Sequence, residues 1–305
     1  MRLNRHGFVL VELLAALIIT ATICAALYRL VDRSQRFTRG LALMADERAQ
    51  LAVAGFAVEG AVQGIDAGDG DLVAGSDSSV AILGPVGSAL VCSLGAGGTT
   101  LDVASPSVAS GATLTWWNTA PQGGDSLVVL DEGMAPGAAD DRFVHVALNA
   151  VTTLRNACLN SPYLDSIADA GSVGWRLTPR SPLPATVTIG TVLRVLRPER
   201  FALYRSGSEW TMGWTEWNAA TGAWNIIQPV AGPLLPYAPP GRTSGLSFQW
   251  QDSAGRALAP APHVPARVVD LSLGALSRAI LHVDGVARTL RRDSLTLRIP
   301  LRNSP

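Results

Sequence analysis

The stretch Met1-Arg-Leu-Asn-Arg-His-Gly7, followed by Phe8-Val-Leu-Val-Glu12-Leu-Leu-Ala-Ala-Leu-Ile-Ile19, decides how the rest of the chain is read. A short basic leader ends in glycine. From Phe8 to Leu27 the residues are then almost wholly apolar, with Glu12 as the one carboxylate. About 20 apolar residues suffice to cross the hydrocarbon core of a bilayer, so residues 8–29 read as a transmembrane helix. Arg2, Arg5 and His6 place the leader in the cytoplasm by the positive-inside rule, and everything after the helix on the far side. A carboxylate within such a helix costs about 2–3 kcal/mol and calls for a partner.

A secretory signal peptide has a shorter apolar core without a carboxylate, and no Ala-x-Ala site closes this run. Cys24 as a lipoprotein site is opposed by the bulk of Ile23. A plain membrane anchor satisfies the length criterion and stays open. The order of Gly7, Phe8 and Glu12 resembles the processing site of type IV prepilins and pseudopilins. That resemblance implies cleavage between Gly7 and Phe8 by the prepilin peptidase/methyltransferase, and N-methylation of Phe8. It also implies that Glu12 pairs with the N-terminal amine of a neighbouring subunit during assembly. The expected fold class is α+β: a long N-terminal helix, its first half membrane-spanning, packed on a β-rich pilin-like head of antiparallel sheets.

Beyond the membrane run, Arg29, Arg33, Arg36 and Arg39 alternate with Leu30, Val31, Phe37, Leu41 and Leu43, and no proline occurs before Pro85. The alanine-rich 45–62 stretch, with charges at Asp46, Glu47, Arg48 and Glu59, reads as an amphipathic helix laid on a head domain. The spacing therefore predicts one helix over 8–62, bending near Gly40 or Gly55. Many major pilins carry a bending proline along this stem; Arg29 stands at that place here.

The remainder, 63–305, is rich in Gly, Ser, Asp and Pro, with short runs that read as strands. Those runs are 80–83, 90–94, 112–117, 126–130, 143–148, 186–196, 201–204, 209–214, 223–227, 245–251, 266–273 and 294–302. Turns are expected at Ser206-Gly-Ser208, Asn218–Gly222 and Asp252–Gly255. Pro229–Pro240 and Ala259–Pro265 read as surface loops, with two sub-layers of the head divided near 185. The distal strands resemble those of PilW-like minor pilins and of the J-type pseudopilin of type II secretion, in a glycine turn, a strand alternating Val and Leu, and a terminal Arg302-Asn303. The segment 64–184 resembles nothing.

The 305-residue chain balances 24 basic residues against 24 acidic ones, so no global field favours nucleic acid. Cys92 and Cys158 fall in the exported part, where they form either one disulfide or two buried thiols, while Cys24 packs within the membrane helix. Four histidines, His6, His145, His263 and His282, sit in no catalytic motif, and neither a Gly-x-Ser-x-Gly elbow nor a phosphate loop occurs. No enzyme is expected, and no cofactor beyond calcium. Asp66, Asp69, Asp71 and Asp77 crowd a glycine-rich loop with oxygen ligands suited to that ion, at a spacing unlike the EF-hand. Trp210, Trp214, Trp217 and Trp224 belong either to core and subunit interfaces or to a sugar-stacking adhesive face.

The resemblance thus implies a PilW-like minor pilin that helps initiate or cap a type IV pilus. Its expected partners are other minor and major pilins and the inner-membrane assembly platform. Its expected location is the inner membrane with the head in the periplasm, then the pilus at the cell surface. A J-type pseudopilin is the near alternative, and a membrane-tethered adhesin that never polymerises is the alternative of another class.

Overall fold

A computed structural model describes residues 5–104, 115–135, 137, 140–239, 242–283 and 286–302. Helix α1 runs unbroken from Arg5 to Val62 over 58 residues, about 87 Å at 1.5 Å per residue. Only its far end carries a one-sided apolar stripe: Leu51, Ala54, Val58 and Val62 recur at helical spacing and are buried. That stripe lies on a large, wholly antiparallel sheet, so the chain is α+β with the long apolar helix packed on a β-rich head.

The head begins with β1 (Leu72–Gly75) and β2 (Ser79–Leu90), followed by the short β3 (Ser93–Leu94), β4 (Leu101–Ala104) and β5 (Trp116–Trp117). Then come β6 (Ser126–Asp131), β7 (Arg142–Arg155), β8 (Val173–Pro179) and the long β9 (Val192–Ser206). β10 (Glu209–Asn218), β11 (Ala223–Trp224), β12 (Gln228–Leu234), β13 (Leu246–Gln251) and β14 (Ala257–Leu258) lead to the final hairpin. That hairpin is β15 (Val268–Val283) and β16 (Val286–Pro300). The main path of pairing runs β14-β13-β15-β12-β10-β9-β6-β7-β8-β4-β3, with β16 on the free side of β15 and β2 beside β9.

Two large hydrophobic cores share this sheet, beside a small cluster around Cys92, Ala104 and Cys158. One unites the helix stripe with Leu72, Ile82, Met212, Leu234, Trp250, Leu271 and Ile299. The other gathers Val86, Leu101, Leu127, Leu148, Leu177 and Val195. The chain leaves the first core within β2 and returns to it within β9, so residues 86–195 build the second core as an excursion. The division of the head therefore has two crossings and not one near 185. β2 and β9 pair from Ser79↔Ala202 to Leu90↔Val192, and the ladder spans both cores.

Polar pins hold the excursion together. Arg197 donates to both oxygens of Asp125 at 2.7 and 2.9 Å and to the Ala120 carbonyl at 3.1 Å, with its side chain only 9% exposed. Breaking such a buried pair on one side costs about 3–5 kcal/mol. Arg176 on β8 grips Asp102, its directly opposed neighbour on β4, in the same two-point fashion. Cys92 and Cys158 form a disulfide with Cα atoms 5.4 Å apart and a separation of 66 in sequence. A closed loop of that length stabilises by roughly 4 kcal/mol in the chain-entropy model.

Several strands differ from the sequence reading. Gln228–Leu234 is β12, paired with β10 and β15 with Ala231 and Leu234 buried, where prolines argued for a loop. Residues 186–191 are turns and irregular connection, and the strand starts only at Val192. Of the expected strand 112–117, residues 112–114 lie outside the described residues. The three expected turns hold, with Gly207, Gly222 and Gly255 at φ of 61°, 62° and 75°, where a side chain would be strained.

Gly55 is a contact point within an unbroken helix: a Cβ there would stand 2.8 Å from Leu297 Cδ1 and 3.2 Å from Leu295 Cδ2 of β16. Around Gly40 the same construction meets nothing within 4 Å. We expect Gly55→Leu to overpack this seat and lose about 1–3 kcal/mol, read by thermal unfolding of the detergent-solubilised chain. Gly40→Ala should be neutral or stabilising by up to about 1 kcal/mol. Equal effects of the two would refute the close seat.

Candidate functional site

The half of α1 that precedes the head is bare. Leu13, Leu17 and Ile18 are 59%, 58% and 64% exposed, and the helix from Leu10 is long and apolar enough to cross a membrane. A helix that is apolar on every side belongs in lipid or among other such helices. Thr20 and Thr22 do not interrupt it, because their hydroxyls donate back to the carbonyls of Ala16 and Ile18 at 2.8 and 3.0 Å.

Gly7 and Phe8 lie in the first turns of this helix, and Glu12 follows one turn after Phe8, about 6 Å along the axis. Leader residues 1–4 are outside the described residues. Glu12 is exposed and has no ion-pair partner among the described residues. A second helix laid alongside can therefore reach its carboxylate. Arg29, Arg33, Arg36 and Arg39 are all exposed where the apolar run ends, and Arg36 is paired with Asp32 at 2.9 Å.

At the other end, polar groups register the helix on its seat. Gln50 accepts from the Gly232 amide at 3.2 Å. Glu47 lies on the same face as Leu51, Ala54 and Val58 and is only 6% exposed. Arg291 Nε of β16 stands 4.0 Å from its Oε2, and Arg291 and Arg48 both reach Asp293, at 3.3 and 3.4 Å. Burial pushes the Glu47 carboxyl above its usual range, and the nearby Arg291 guanidinium opposes that shift without cancelling it. Sequence reading gave Glu47 as one of the charges of an amphipathic helix, without assigning it to the buried face. Its spacing of four from Leu51 was the available signal that it sits on the buried face.

Aspartates of the acidic loop bond the loop's own amides. Asp66 Oδ1 accepts from the amides of Gly68 and Asp69 at 3.0 and 3.2 Å, and Asp71 Oδ2 accepts from the Asp66 amide at 2.8 Å. Asp69 faces His145 Nε2 at 3.3 Å. Asp77 bonds the Tyr237 hydroxyl elsewhere on the surface. Among the described residues no group of three or more His, Cys, Asp or Glu side chains meets so as to hold a metal. His263 rests its Nδ1 3.2 Å from the Gly68 carbonyl. The Asp69–His145 pair has no hydroxyl or thiol hydrogen-bonded to its imidazole among the described residues.

The tryptophans divide between roles. Trp250 is fully buried, and Trp117 packs edge-on against Trp175 at 4.7 Å. Trp217 and Trp224 pair at 5.4 Å across β10 and β11, with Arg200 lying 4.7 Å over the Trp224 ring. Trp214 Nε1 donates to Glu199 at 2.7 Å. Trp210, Trp214, Trp217 and Trp224 are all part-buried, and the two-residue β11 pairs with β10 alone.

No family model, curated protein or solved structure matches this chain. The functional reading therefore rests on the stem, its lone carboxylate and the seat.

In the native state Glu47 holds its proton more tightly than in the unfolded chain, where it titrates near 4.5. Stability contributed by this group therefore falls as pH rises from that value through the raised native range. We expect Glu47→Gln to raise the melting temperature at pH 7, with the gain over the parent vanishing below about pH 4.5. A variant less stable than the parent at pH 7 would mean that the Arg291 attraction outweighs burial.

Proposed function

We propose that this chain is a minor pilin of PilW-like type, cut between Gly7 and Phe8, that helps to initiate or cap a type IV pilus. One observation carries the reading: a helix whose first half is apolar on all sides and bare, with a single exposed carboxylate one turn after Phe8, projects from a head seated only on its second half. Such a stem exchanges lipid contacts for helix contacts with little change in apolar exposure, so directional polar contacts set the register. A carboxylate in that setting is satisfied by a cation at the same depth. The new N-terminal amine of an adjacent subunit supplies one, and a leader left uncut does not.

On this reading the chain waits as a single-pass inner-membrane protein with its head in the periplasm, and enters the fibre with other minor and major pilins through the assembly platform. The wide sheet of the head and its added second core suit a tip or priming position over a repeated place in a thin shaft. The J-type pseudopilin of type II secretion is the same reading in another machine. A tethered adhesin is the competing reading, and the part-buried Trp217–Trp224 pair is the feature that favours it.

Intact mass and N-terminal sequencing of the protein from sheared fibres and from membranes test the proposal. A chain beginning at methylated Phe8 in the fibre fraction is the expected result. Glu12→Ala should abolish fibre incorporation without changing the melting temperature of the isolated protein. An uncut chain confined to membranes, or incorporation indifferent to Glu12, would turn the reading to the tethered domain.

A further inference from the structure

The register of the final hairpin decides which way each amide of β16 points. Gly274 on β15 donates to the Gly245 carbonyl and accepts from the Leu235 amide, so its backbone groups turn away from β16. Its opposed residue there is Ser294. Opposed residues of an antiparallel pair exchange both bonds or neither, in alternation along the ladder. Arg292, Ser294, Thr296 and Arg298 therefore present their backbone groups to the free side of β16, while Leu295, Leu297 and Ile299 bond to β15. Leu301, donating to the Arg267 carbonyl at 2.9 Å, keeps the same phase.

This edge is long where the others are short. Among the described residues, the strands with a single neighbour are β1, β3, β5, β11, β14 and β16, and the first five have at most four residues. Brevity discourages an edge from pairing with another chain, and β16, with 15 residues, does not use that device. Pro300, which has no amide, closes the open window at one end. The Ser294 amide is already bonded to Asp293 Oδ1 at 2.9 Å. The outward amides of Arg292, Thr296 and Arg298 are left for a partner.

The side chains state what that partner carries. Arg292, Ser294, Thr296 and Arg298 are exposed, and on the opposite face Leu295 and Leu297 are part-buried beneath the helix. Between Arg288 and Arg302 stand five arginines and one aspartate. Arg298 donates to Gln251 at 3.0 Å and lies 3.9 Å from Asp270. Arg292 has no carboxylate within salt-bridge distance among the described residues. A second copy laid antiparallel over 292–298 would set Arg292 opposite Arg298, and like charges so opposed destabilise a pair. Carboxylates in those places would be attracted to both.

We propose that the free edge of β16 takes up an extended acidic segment of another protein as an added strand. Its main chain bonds to Arg292, Thr296 and Arg298, its carboxylates meet Arg292 and Arg298, and its alternate apolar side chains lie beside Leu295 and Leu297. In strand addition the main-chain bonds supply affinity and the alternate side chains supply the choice of partner. The site belongs to the last hairpin of the head and depends on neither cleavage nor polymerisation, so it stands or falls apart from the pilus reading.

The test uses the detergent-solubilised full chain and a capped, fluorescently labelled peptide, Glu-Val-Thr-Val-Thr-Val-Glu, followed by anisotropy. The peptide should bind, and replacing both Glu by Lys, or N-methylating alternate amides so that they cannot donate, should each weaken binding about tenfold or more. Thr296→Pro removes an outward amide and no bond of the β15–β16 ladder, so it should weaken binding about tenfold or more at an unchanged melting temperature. If that variant unfolds, the N-methylated peptide and Arg292→Glu decide in its place. Absence of binding up to roughly 1 mM peptide would overturn the proposal. So would equal binding of the lysine peptide, or undiminished binding to folded Thr296→Pro. Sedimentation that shows the parent chain as a dimer and Thr296→Pro as a monomer would give the edge to a second copy instead.

Discussion

The β2–β9 ladder is the constraint on which the rest of the head depends. Its pairs run without a change of partner from Ser79↔Ala202 to Leu90↔Val192. Within it, Val80, Ile82 and Phe201 point into the core beneath the helix, whereas Val86, Ala89, Leu193 and Val195 belong to the other core. A slip of one residue would exchange inward for outward side chains along the whole ladder, and would disturb both cores at once. The single irregularity lies between Pro85 and Gly87, where Gly87 leaves room for the Trp117 ring: a Cβ there would fall 2.2 Å from its Cε3. Proline without an amide and glycine without a side chain together let the ladder pass from one core to the other.

That same passage explains what could be read in the sequence and what could not. The helix ended at Val62 as expected, because the 3–4 spacing of Leu51, Ala54, Val58 and Val62 is a local signal. Ser126–Asp131 was legible as a short apolar run, and Glu209–Asn218 and Leu246–Gln251 because their alternation matches a half-buried sheet. β2 and β9 appeared only as fragments, since Pro85 and Pro198 punctuate them, and proline argues against a central strand unless tertiary pairing overrides it. β12 was lost for the same reason at Pro229 and Pro233. β8, Val173–Pro179, alternates too weakly between Gly174, Trp175 and Arg176 to stand out, and is held by Leu177 and by its cross-strand grip on Asp102.

The site divides along the same line. Gly7, Phe8 and Glu12 are visible in sequence because a charge in an apolar run is itself the anomaly. Cys92 and Cys158 were a counting argument with two outcomes, and their meeting is a product of the fold. Glu47, by contrast, looked like one charge among several, although its spacing of four from Leu51 puts it on the stripe that faces the sheet. The aspartates of the 66–71 loop crowd in sequence, and in the fold Asp66 Oδ1 and Asp71 Oδ2 accept amides of the loop while Asp69 Oδ2 faces His145. Asp71 Oδ1 is buried without a hydrogen-bond partner among the described residues, and no local pattern marks it off from its neighbours.

The seat of the helix also orders events in time. α1 is the first element made, yet it rests on β12, β15 and β16, and the side chains that receive Gly55 are Leu295 and Leu297. A chain made N-terminus first therefore leaves its stripe of Leu51, Ala54 and Val58 uncovered until almost the last residue has emerged. The second core, complete once Val195 has emerged, can close long before. First and last elements meeting is a contact of the greatest sequence separation, and closing it is slow. Throughout that interval a stem long and apolar enough to cross a membrane is already made, and on the proposed reading it would keep the waiting stripe tethered at a bilayer surface instead of free to find another chain.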